Sequence, residues 1–494
     1  MSRESRPLVL ILAVYLILGV LYAWYTPLWQ APDEPAHYNN VRYVVETGQM
    51  TFLHPGDYDQ DYLEVIKSHR FPPEMPIDGI RYEGHQPPLY YWLVAPLLLI
   101  TQGMGFEVQV FALRLFGVFL GAGVVGFIWA SARHLFPRKV TLAMLAAGFA
   151  AFLPMHLAMM AAINNDALAE LIIAMGVYRL LVHFRHPQAG VSAWLVTGLV
   201  VGLGLLTKFQ AYILLPMTAS VWLWQVWQQR SMGLKMISSL WTGLAWLFPA
   251  FLLALPWWLR NMSLYGTNDP LGLIWHDAVV VGQPRTADWI AANGLTSYLD
   301  RYLDFTFKSF WGVFGWLGVF LDGRVYVLFA LLSILVGAGL LYQAWRVRRS
   351  DVVLEPYQKL GIALLCLQVL IVLFTYLWYN LSFVQHQGRY LFPALTAISV
   401  GFALGYWGIT SHKGSLWGAL AAGIALLVIV MAGLPSGDVN GWAVLISAAM
   451  VVILAVRHRF AVFPAWAWGA GILALLVLID LYALFGAIVP QLTG

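Results

Sequence analysis

The chain consists largely of apolar stretches of about 17–25 residues, the length that a helix needs to cross the hydrocarbon core of a bilayer. We therefore predict an all-α polytopic membrane protein with 11–13 spans, flanked by loops of very unequal length. The spans are expected near residues 8–25, 110–133, 140–160, 166–183, 190–206, 210–228, 237–258, 325–344, 360–378, 390–409, 415–433, 441–456 and 461–488.

The long polar segments all fall on one side of this scheme. One loop runs from about 26 to 109 and a second from about 261 to 324, whereas the loops of the opposite side are short and basic. By the positive-inside rule the N-terminus is cytoplasmic and both long loops are outside. The apolar stretch 87–102 begins with two prolines and suits an interfacial or re-entrant helix in the first outer loop. The basic residues assigned to the cytoplasm are Arg3, Arg6, Arg133, Arg138, Lys139, Arg179, Arg185, Arg230, Lys235, Arg346, Arg348, Arg349, Lys359, Lys413, Arg457 and Arg459.

Composition supports the membrane class and narrows the choice of function. Hydrophobic residues make up 60% of the chain and charged residues 11%, against about 25% charged in soluble proteins. The net charge of +4 comes from scattered basic residues, which gives no reason to expect a nucleic-acid partner. Cys366 is the single cysteine, so an intrachain disulfide and a cysteine-based metal site are excluded.

Two adjacent carboxylates lie just after the first span, in residues 31–38 (APDEPAHY). From Pro35 to about Thr47 the spacing of apolar residues predicts a helix, so Asp33 or Glu34 lies at or beside its N-cap. Two interpretations are open for Asp33. It caps a surface helix, or it is a general base or ligand that the helix dipole keeps ionised.

Two further polar stretches are expected on the same side of the membrane. Residues 81–92 (RYEGHQPPLYYW) lead into the apolar helix, and its aromatic residues suit an anchor in the headgroup zone, which explains His85 less easily. Residues 164–166 (NND) lie in a very short turn between two spans. They suit a plain capped turn, or Asp166 contributes to a site at the depth of Asp33.

Five motifs follow one another in the chain: PDEP-x-H at 32–37, HQPPLYY at 85–91, LLTK at 205–208, PWWLRN at 256–261 with Tyr265 and Gly266, and QGRYLFP at 387–393. Together they resemble those of the GT-C superfamily of membrane glycosyltransferases. The resemblance is greatest to the protein mannosyltransferase and aminoarabinose-lipid A transferase group (family 39/83 type). It covers residues 8–400, which predicts a catalytic transmembrane domain at 1–409 followed by generic transmembrane helices at 410–494.

The resemblance implies an inverting transfer of a hexose or pentose from a polyprenyl-phosphate donor to an acceptor at the outer face of the cytoplasmic membrane. An acceptor hydroxyl must lose a proton, which calls for a carboxylate base. The lipid phosphate leaves as a stable anion, so the site needs fixed positive charge in place of a general acid. The residues that the resemblance and the expected depth place there are Asp33 and Glu34 as catalytic acids, Lys208, Arg389, Arg114 and Arg260 as phosphate ligands, and His37, Tyr38, His85, Gln86, Tyr90 and Asp166 as contacts to acceptor or sugar.

For each cation, anchoring in the headgroups is the alternative to binding a phosphate. An O-antigen-type ligase or glycan polymerase, and a lipid or solute transporter, are the alternative functions. A transporter is disfavoured because the spans contain few charges at mid-depth, Asp480 being the main exception. We expect no obligatory cofactor, although Asp33, Glu34 and His37 could meet a divalent cation. The expected partners are the lipid-linked sugar, a lipid, glycan or protein acceptor, and membrane lipids.

Overall fold

The computed structural model describes residues 4–233, 236–460 and 463–493, and their regular secondary structure is almost entirely helical. In chain order the α-helices are α1 (Arg6–Tyr25), α2 (Glu34–Thr47), α3 (Gln60–Ser68), α4 (Leu89–Thr101), α5 (Phe106–Leu135), α6 (Val140–Ala151), α7 (Pro154–Met160), α8 (Asp166–Arg185), α9 (Val191–Leu205), α10 (Leu214–Ser231), α11 (Met236–Tyr265), α12 (Leu273–Val279), α13 (Thr286–Asn293), α14 (Leu295–Trp311), α15 (Gly323–Arg348), α16 (Pro356–Ser382), α17 (Leu395–Ile409), α18 (Gly414–Gly433), α19 (Gly441–Phe460), α20 (Ala465–Tyr482) and α21 (Val489–Leu492). Short 3-10 helices span Phe209–Ile213 and Gly388–Ala394, and a π-helix spans Ala483–Ile488. A two-stranded antiparallel hairpin consists of β1 (Val313–Phe314) and β2 (Val319–Phe320).

Every predicted span coincides with a helix or a pair of helices. Within the described ranges nine helices are long and apolar enough to cross a membrane, or ten if α6 and α7, which meet at a bend of 62°, form one broken span. The remaining predicted spans correspond to α8, α9 and α10, which are shorter or more polar than that criterion allows. The fold is therefore the predicted all-α polytopic bundle.

The helices approach one another closely where small residues face each other. A Cβ atom added to Gly339 of α15 would lie 1.9 Å from the carbonyl oxygen of Gly405 in α17, so the two backbones are in direct contact. Gly198 of α9 meets the backbone of Trp246 in α11 in the same way, at 2.3 Å. Lipid tails are as apolar as leucine side chains, so close van der Waals packing of this kind is a main source of helix association in membranes.

The two long loops contain the elements that build the site. The first loop holds α2, α3 and α4, and α2 begins one residue before the predicted helix and ends at Thr47 as predicted. The stretch 87–102 forms α4, whose 13 residues are too few for a span. The second loop holds α12, α13, α14 and the β1–β2 hairpin.

Arg3 and Lys235, assigned to the cytoplasmic side, lie outside the described residues. Asp480 is fully buried in α20, as expected for the exception among the spans. A second buried acid, Glu170 of α8, was not singled out by the sequence, and its Oε2 lies 3.1 Å from Nε2 of His156 in α7.

Candidate active site

A tight turn determines where the Asp33 side chain points. The amide of Glu34 donates to the carbonyl of Ala31 over 3.3 Å, and Pro32 occupies the second position of the turn. Asp33, at φ 67° and ψ −5°, has the conformation that a type II turn requires at its third position, where glycine or asparagine is usual. A left-handed residue other than glycine costs about 1–3 kcal/mol and persists only where its surroundings hold it.

Asp33 is the N-cap residue of α2, but its carboxylate makes no capping hydrogen bond to the helix. Instead, Oδ1 accepts from the hydroxyl of Tyr82 at 2.8 Å and Oδ2 accepts from Nη2 of Arg389 at 2.9 Å. Burial alone would raise the pKa of the Asp33 carboxyl, but the charges of Arg389 and His37 and the Tyr82 hydrogen bond hold it below its usual value. The side chain is 27% exposed, so the structure offers an ionised carboxylate that a second molecule can reach.

Glu34, the neighbouring acid, is in a different environment. It is completely buried, and its two oxygens accept from Nε and Nη2 of Arg114, both at 2.7 Å. The other donors of Arg114 bind the carbonyls of Ala23, Thr26 and Pro27. All five N–H groups of this guanidinium are thus engaged. The pair ties α5 to the end of α1 and to the start of α2.

A second ion pair lies near Asp33 and Arg389. Lys208 follows α9, and its Nζ lies 2.7 Å from Oδ1 of Asp166, the first residue of α8. Burial alone would lower the pKa of Lys208, but Asp166 and Glu83 raise it above its usual value. The charge of Arg389 also acts on Lys208, so the two ion pairs form one electrostatic cluster. We call Asp33, Arg389, Asp166 and Lys208 the four-charge cluster.

The backbone around Arg389 is fixed by the second loop. The amide of Gly388 donates to Oγ of Ser309 in α14 at 2.8 Å. A Cβ atom on Gly388 would lie 2.2 Å from the backbone nitrogen of Phe310, so glycine is required for this contact. Nε of Arg389 donates to Oε1 of Gln387 at 2.7 Å. Helix α14 therefore sets the position from which Arg389 reaches Asp33.

Histidine and tyrosine side chains line the cluster from the first loop. Nδ1 of His37 lies 2.8 Å from the hydroxyl of Tyr91, and burial lowers the pKa of His37 despite the nearby acids. Tyr90 and Tyr91 are fully buried, whereas Trp92 is 52% exposed. The prediction of an interfacial anchor therefore fits Trp92 and is wrong for the two tyrosines, because α4 turns that face into the protein.

His85 and Gln86 join different parts of the chain. The amide oxygen of Gln86 accepts from Asn165 at 3.1 Å, which links the first loop to the turn before α8. His85 is buried with its ring 4.3 Å from that of His276 in α12, and burial, reinforced by that neighbouring ring, lowers the pKa of His85 far below its usual value.

Arg260, predicted to bind the phosphate, and Tyr38, predicted to contact the acceptor or sugar, bind and pack against other parts of the chain. Nη2 of Arg260 donates to the carbonyls of Met50 and Thr51, and the guanidinium stacks over the ring of Trp257. Tyr38 packs its ring against those of Trp29 and Phe106. Arg260 thus fastens α11 to the first loop, and Tyr38 belongs to the packing beneath α2.

Tyr82, Glu83, Tyr91 and His276 are near the cluster and were not predicted. Tyr82 and Glu83 lie in the stretch 81–92, but a tyrosine or an acid in a polar loop carries no distinguishing pattern of its own. His276 lies 191 positions after His85 in the sequence, so no local pattern links the two. In the described part of the chain no group of three or more His, Cys, Asp or Glu side chains is placed to hold a metal ion.

Comparison with known proteins agrees with this architecture. Residues 85–258 match the family model of dolichyl-phosphate-mannose-protein mannosyltransferase. This segment contains Lys208 and Asp166 but neither Asp33 nor Arg389. A sequence search of curated proteins finds no match.

Two solved structures share the fold at low sequence identity. The apo structure of ArnT from Cupriavidus metallidurans has a TM-score of 0.53 at 16% identity, and the alignment covers 98% of this chain and 77% of that chain. The apo oligosaccharyltransferase of Archaeoglobus fulgidus has a TM-score of 0.51 at 13% identity, with coverages of 91% and 56%. The resemblance predicted from the motifs is thereby confirmed: this chain is a multi-pass membrane protein with the GT-C glycosyltransferase fold.

Proposed function

We propose that the chain is an inverting glycosyltransferase of the cytoplasmic membrane, which moves a hexose or pentose from a polyprenyl phosphate to a lipid, glycan or protein acceptor at the outer face. The observation that carries this proposal is the ionised, partly exposed carboxylate of Asp33, which lies near two cations, the buried Arg389 and the partly buried Lys208. Support comes from the matched mannosyltransferase segment and from the similar ArnT, which has been solved bound to undecaprenyl phosphate.

The proposed step is a single displacement. The acceptor oxygen attacks C1 of the sugar while the bond from C1 to the phosphate oxygen breaks, so the configuration at C1 inverts. The acceptor proton passes to Asp33, and the polyprenyl phosphate leaves with one additional negative charge. Because a phosphate is a stable anion, fixed positive charge replaces a general acid at the leaving oxygen.

Arg389 is suited to stabilise negative charge on Asp33 before the transfer and on the phosphate after it. In the structure it neutralises Asp33 and keeps the pKa of that carboxyl low. As Asp33 takes up the proton, negative charge moves from its carboxylate to the phosphate, and Arg389 can exchange one anion for the other. The shift of Arg389 also removes the main cause of the low pKa, which makes Asp33 a stronger base as the donor engages.

The other residues then have distinct roles in the proposal. Lys208 binds the phosphate with Arg389, and Asp166 orients Lys208. His37, His85, Gln86 and Tyr90 line the acceptor or sugar side. Arg114 has no donor left for a phosphate, because all of its N–H groups are bonded within the chain. In the proposal, Glu34 and Arg114 therefore position the turn of Asp33. Arg260 and Tyr38 hold the first loop in place. That the reaction needs no metal remains a prediction.

Lys208→Met is expected to weaken the binding of undecaprenyl phosphate by roughly 10- to 100-fold, the effect of losing one hydrogen bond to a charged group. Titration of the purified protein in detergent measures the affinity. The matched control is Lys308→Met, which removes a lysine from an exposed pair with Asp304 on α14. Unchanged affinity together with a lower thermal stability of Lys208→Met would show that Lys208 is an anchor.

Cysteine labelling in intact cells tests the orientation. Glu74, Ala292 and Val353 are exposed, and none of them has a left-handed backbone that a cysteine would strain. In a Cys366→Ser background, cysteines at Glu74 and Ala292 should react with an impermeant maleimide, because both long loops are proposed to be outside. A cysteine at Val353 should react only after the cells are opened. The reverse pattern would place the site in the cytoplasm.

A further inference from the structure

The β1–β2 hairpin has a turn whose residues do not suit its backbone. The turn is closed by a hydrogen bond of 3.1 Å from the amide of Gly318 to the carbonyl of Gly315. Both central residues are left-handed, Trp316 at φ 54° and Leu317 at φ 67°. A two-residue hairpin turn in which both central residues are left-handed favours Asn-Gly, whereas large side chains are strained there. Contacts outside the hairpin must therefore hold it.

Those contacts converge on the ring of Trp316. Its indole stacks on Phe71 with ring centroids 5.8 Å apart, and Nζ of Lys67 lies 5.3 Å from the ring centre. Its Nε1 donates to the carbonyl oxygen of Trp29 at 2.8 Å. The second loop thus fastens itself to the segment that precedes Asp33.

Trp29 links the hairpin to the turn at residues 31–34, which contains Asp33. It is buried and left-handed at φ 65°, and its amide donates to Oε2 of Glu34 at 3.2 Å. Both backbone groups of Trp29 are therefore bonded, the carbonyl to Trp316 and the amide to Glu34. Two strained residues, Trp29 and Asp33, are separated by only three positions. Strain of this kind collects at functional sites where surrounding structure imposes the conformation.

We infer that Trp316 is a positioning residue. Through its hydrogen bond to the Trp29 carbonyl it holds residues 29–34, including the turn at 31–34, in the conformation that points the Asp33 carboxylate towards Arg389 and Tyr82. The inference rests on the proposed function, because the geometry being held is that of the proposed base. Trp316 touches neither Asp33 nor Arg389 in the contacts of the described chain, so it acts through Trp29 and Glu34.

Trp316→Phe removes the hydrogen bond and retains an aromatic ring against Phe71 and Lys67. We expect kcat for sugar transfer to fall by about 10- to 100-fold, as for a reacting group moved by an ångström, while KM for the donor changes little. Amide exchange of residues 27–34, followed by mass spectrometry, should become roughly 2- to 10-fold faster, the effect of one lost hydrogen bond. Thermal stability should change little.

Leu317→Gly is the matched control, since it relaxes the same turn and leaves Trp316 in place; kcat and the exchange of residues 27–34 should stay at the wild-type level. The double variant Trp316→Asn/Leu317→Gly gives the turn its favoured sequence. It should fold at least as stably as the wild type and still lose kcat.

The exchange measurement separates this inference from the proposed function. A wild-type protein without transfer activity would overturn the proposed function, and exchange of residues 27–34 would still test whether Trp316 holds this segment in place. Unchanged exchange in Trp316→Phe would overturn the inference. A fall in kcat that is fully explained by a smaller folded fraction of Trp316→Phe, as measured by thermal unfolding, would also overturn the inference.

Discussion

Asp33→Asn should reduce sugar transfer by about 10²–10⁴-fold, the usual contribution of a general base, in a protein that remains folded. Asparagine is as well suited as aspartate to the left-handed position of the turn, and it can accept the Tyr82 hydrogen bond. It cannot take up a proton. Transfer assayed with a polyprenyl-phosphate sugar, alongside thermal unfolding in detergent, measures both effects.

The matched control is Asp78→Asn, because Asp78 is an exposed acid of the same loop that is likewise paired with an arginine, Arg42. It should transfer at the wild-type rate. If Asp33→Asn keeps near-full activity and Asp166→Asn is inactive, the base is the other acid of the four-charge cluster. If both variants are active, neither acid is the base and the proposed mechanism is wrong.

Arg114→Met should have the largest effect on stability, lowering the free energy of unfolding by about 3–5 kcal/mol, the cost of leaving one partner of a buried ion pair alone. Glu34 would then be a buried carboxylate that keeps only two backbone amide donors, those of Trp29 and Ile163. A lower midpoint of thermal unfolding in detergent would show the loss. Transfer should fall as well, since this pair holds the turn of Asp33.

The double variant Glu34→Met/Arg114→Met distinguishes the ion pair from simple packing. Replacing both charges with apolar side chains of similar volume removes the unpaired carboxylate, so part of the lost stability should return. The recovery should be incomplete, because the amides of Trp29 and Ile163 lose their acceptor. An Arg114→Met protein as stable as the wild type would contradict the structural role of this pair.

The bundle was predictable because hydrophobic length and loop charge are local properties of the sequence. Each predicted span proved to be a helix or a pair of helices, and α2 was predicted to within one residue at its start. The bend between α6 and α7 was not predicted. Whether a tyrosine of α4 faces lipid or protein depends on which helices pack beside it, so the anchor expected from the aromatic run at 90–92 is compatible only with the exposed Trp92.

The different environments of Asp33 and Glu34 show where sequence reasoning stops. Both acids lie between the same two prolines, and the same helix start is compatible with either as a base. Their environments come from residues 80 and 356 positions away, Arg114 for Glu34 and Arg389 for Asp33. Only the resemblance favoured Asp33, whereas the separation of the two carboxylates follows from the turn conformation, which a sequence pattern does not specify.

The hydrogen bond from the Tyr22 hydroxyl to the backbone carbonyl of Asp480 joins α1 to α20 across 458 residues of sequence, at 2.8 Å. Tyr22 is fully buried there, and α1 leads directly into the turn of Asp33. During synthesis, α1 enters the membrane long before α20 exists, so until then the Tyr22 hydroxyl lacks this acceptor and faces lipid or other helices. We therefore expect the side of the bundle that carries the proposed site to reach its final shape only after α20 has been inserted, so the order of helix insertion should determine when the site forms.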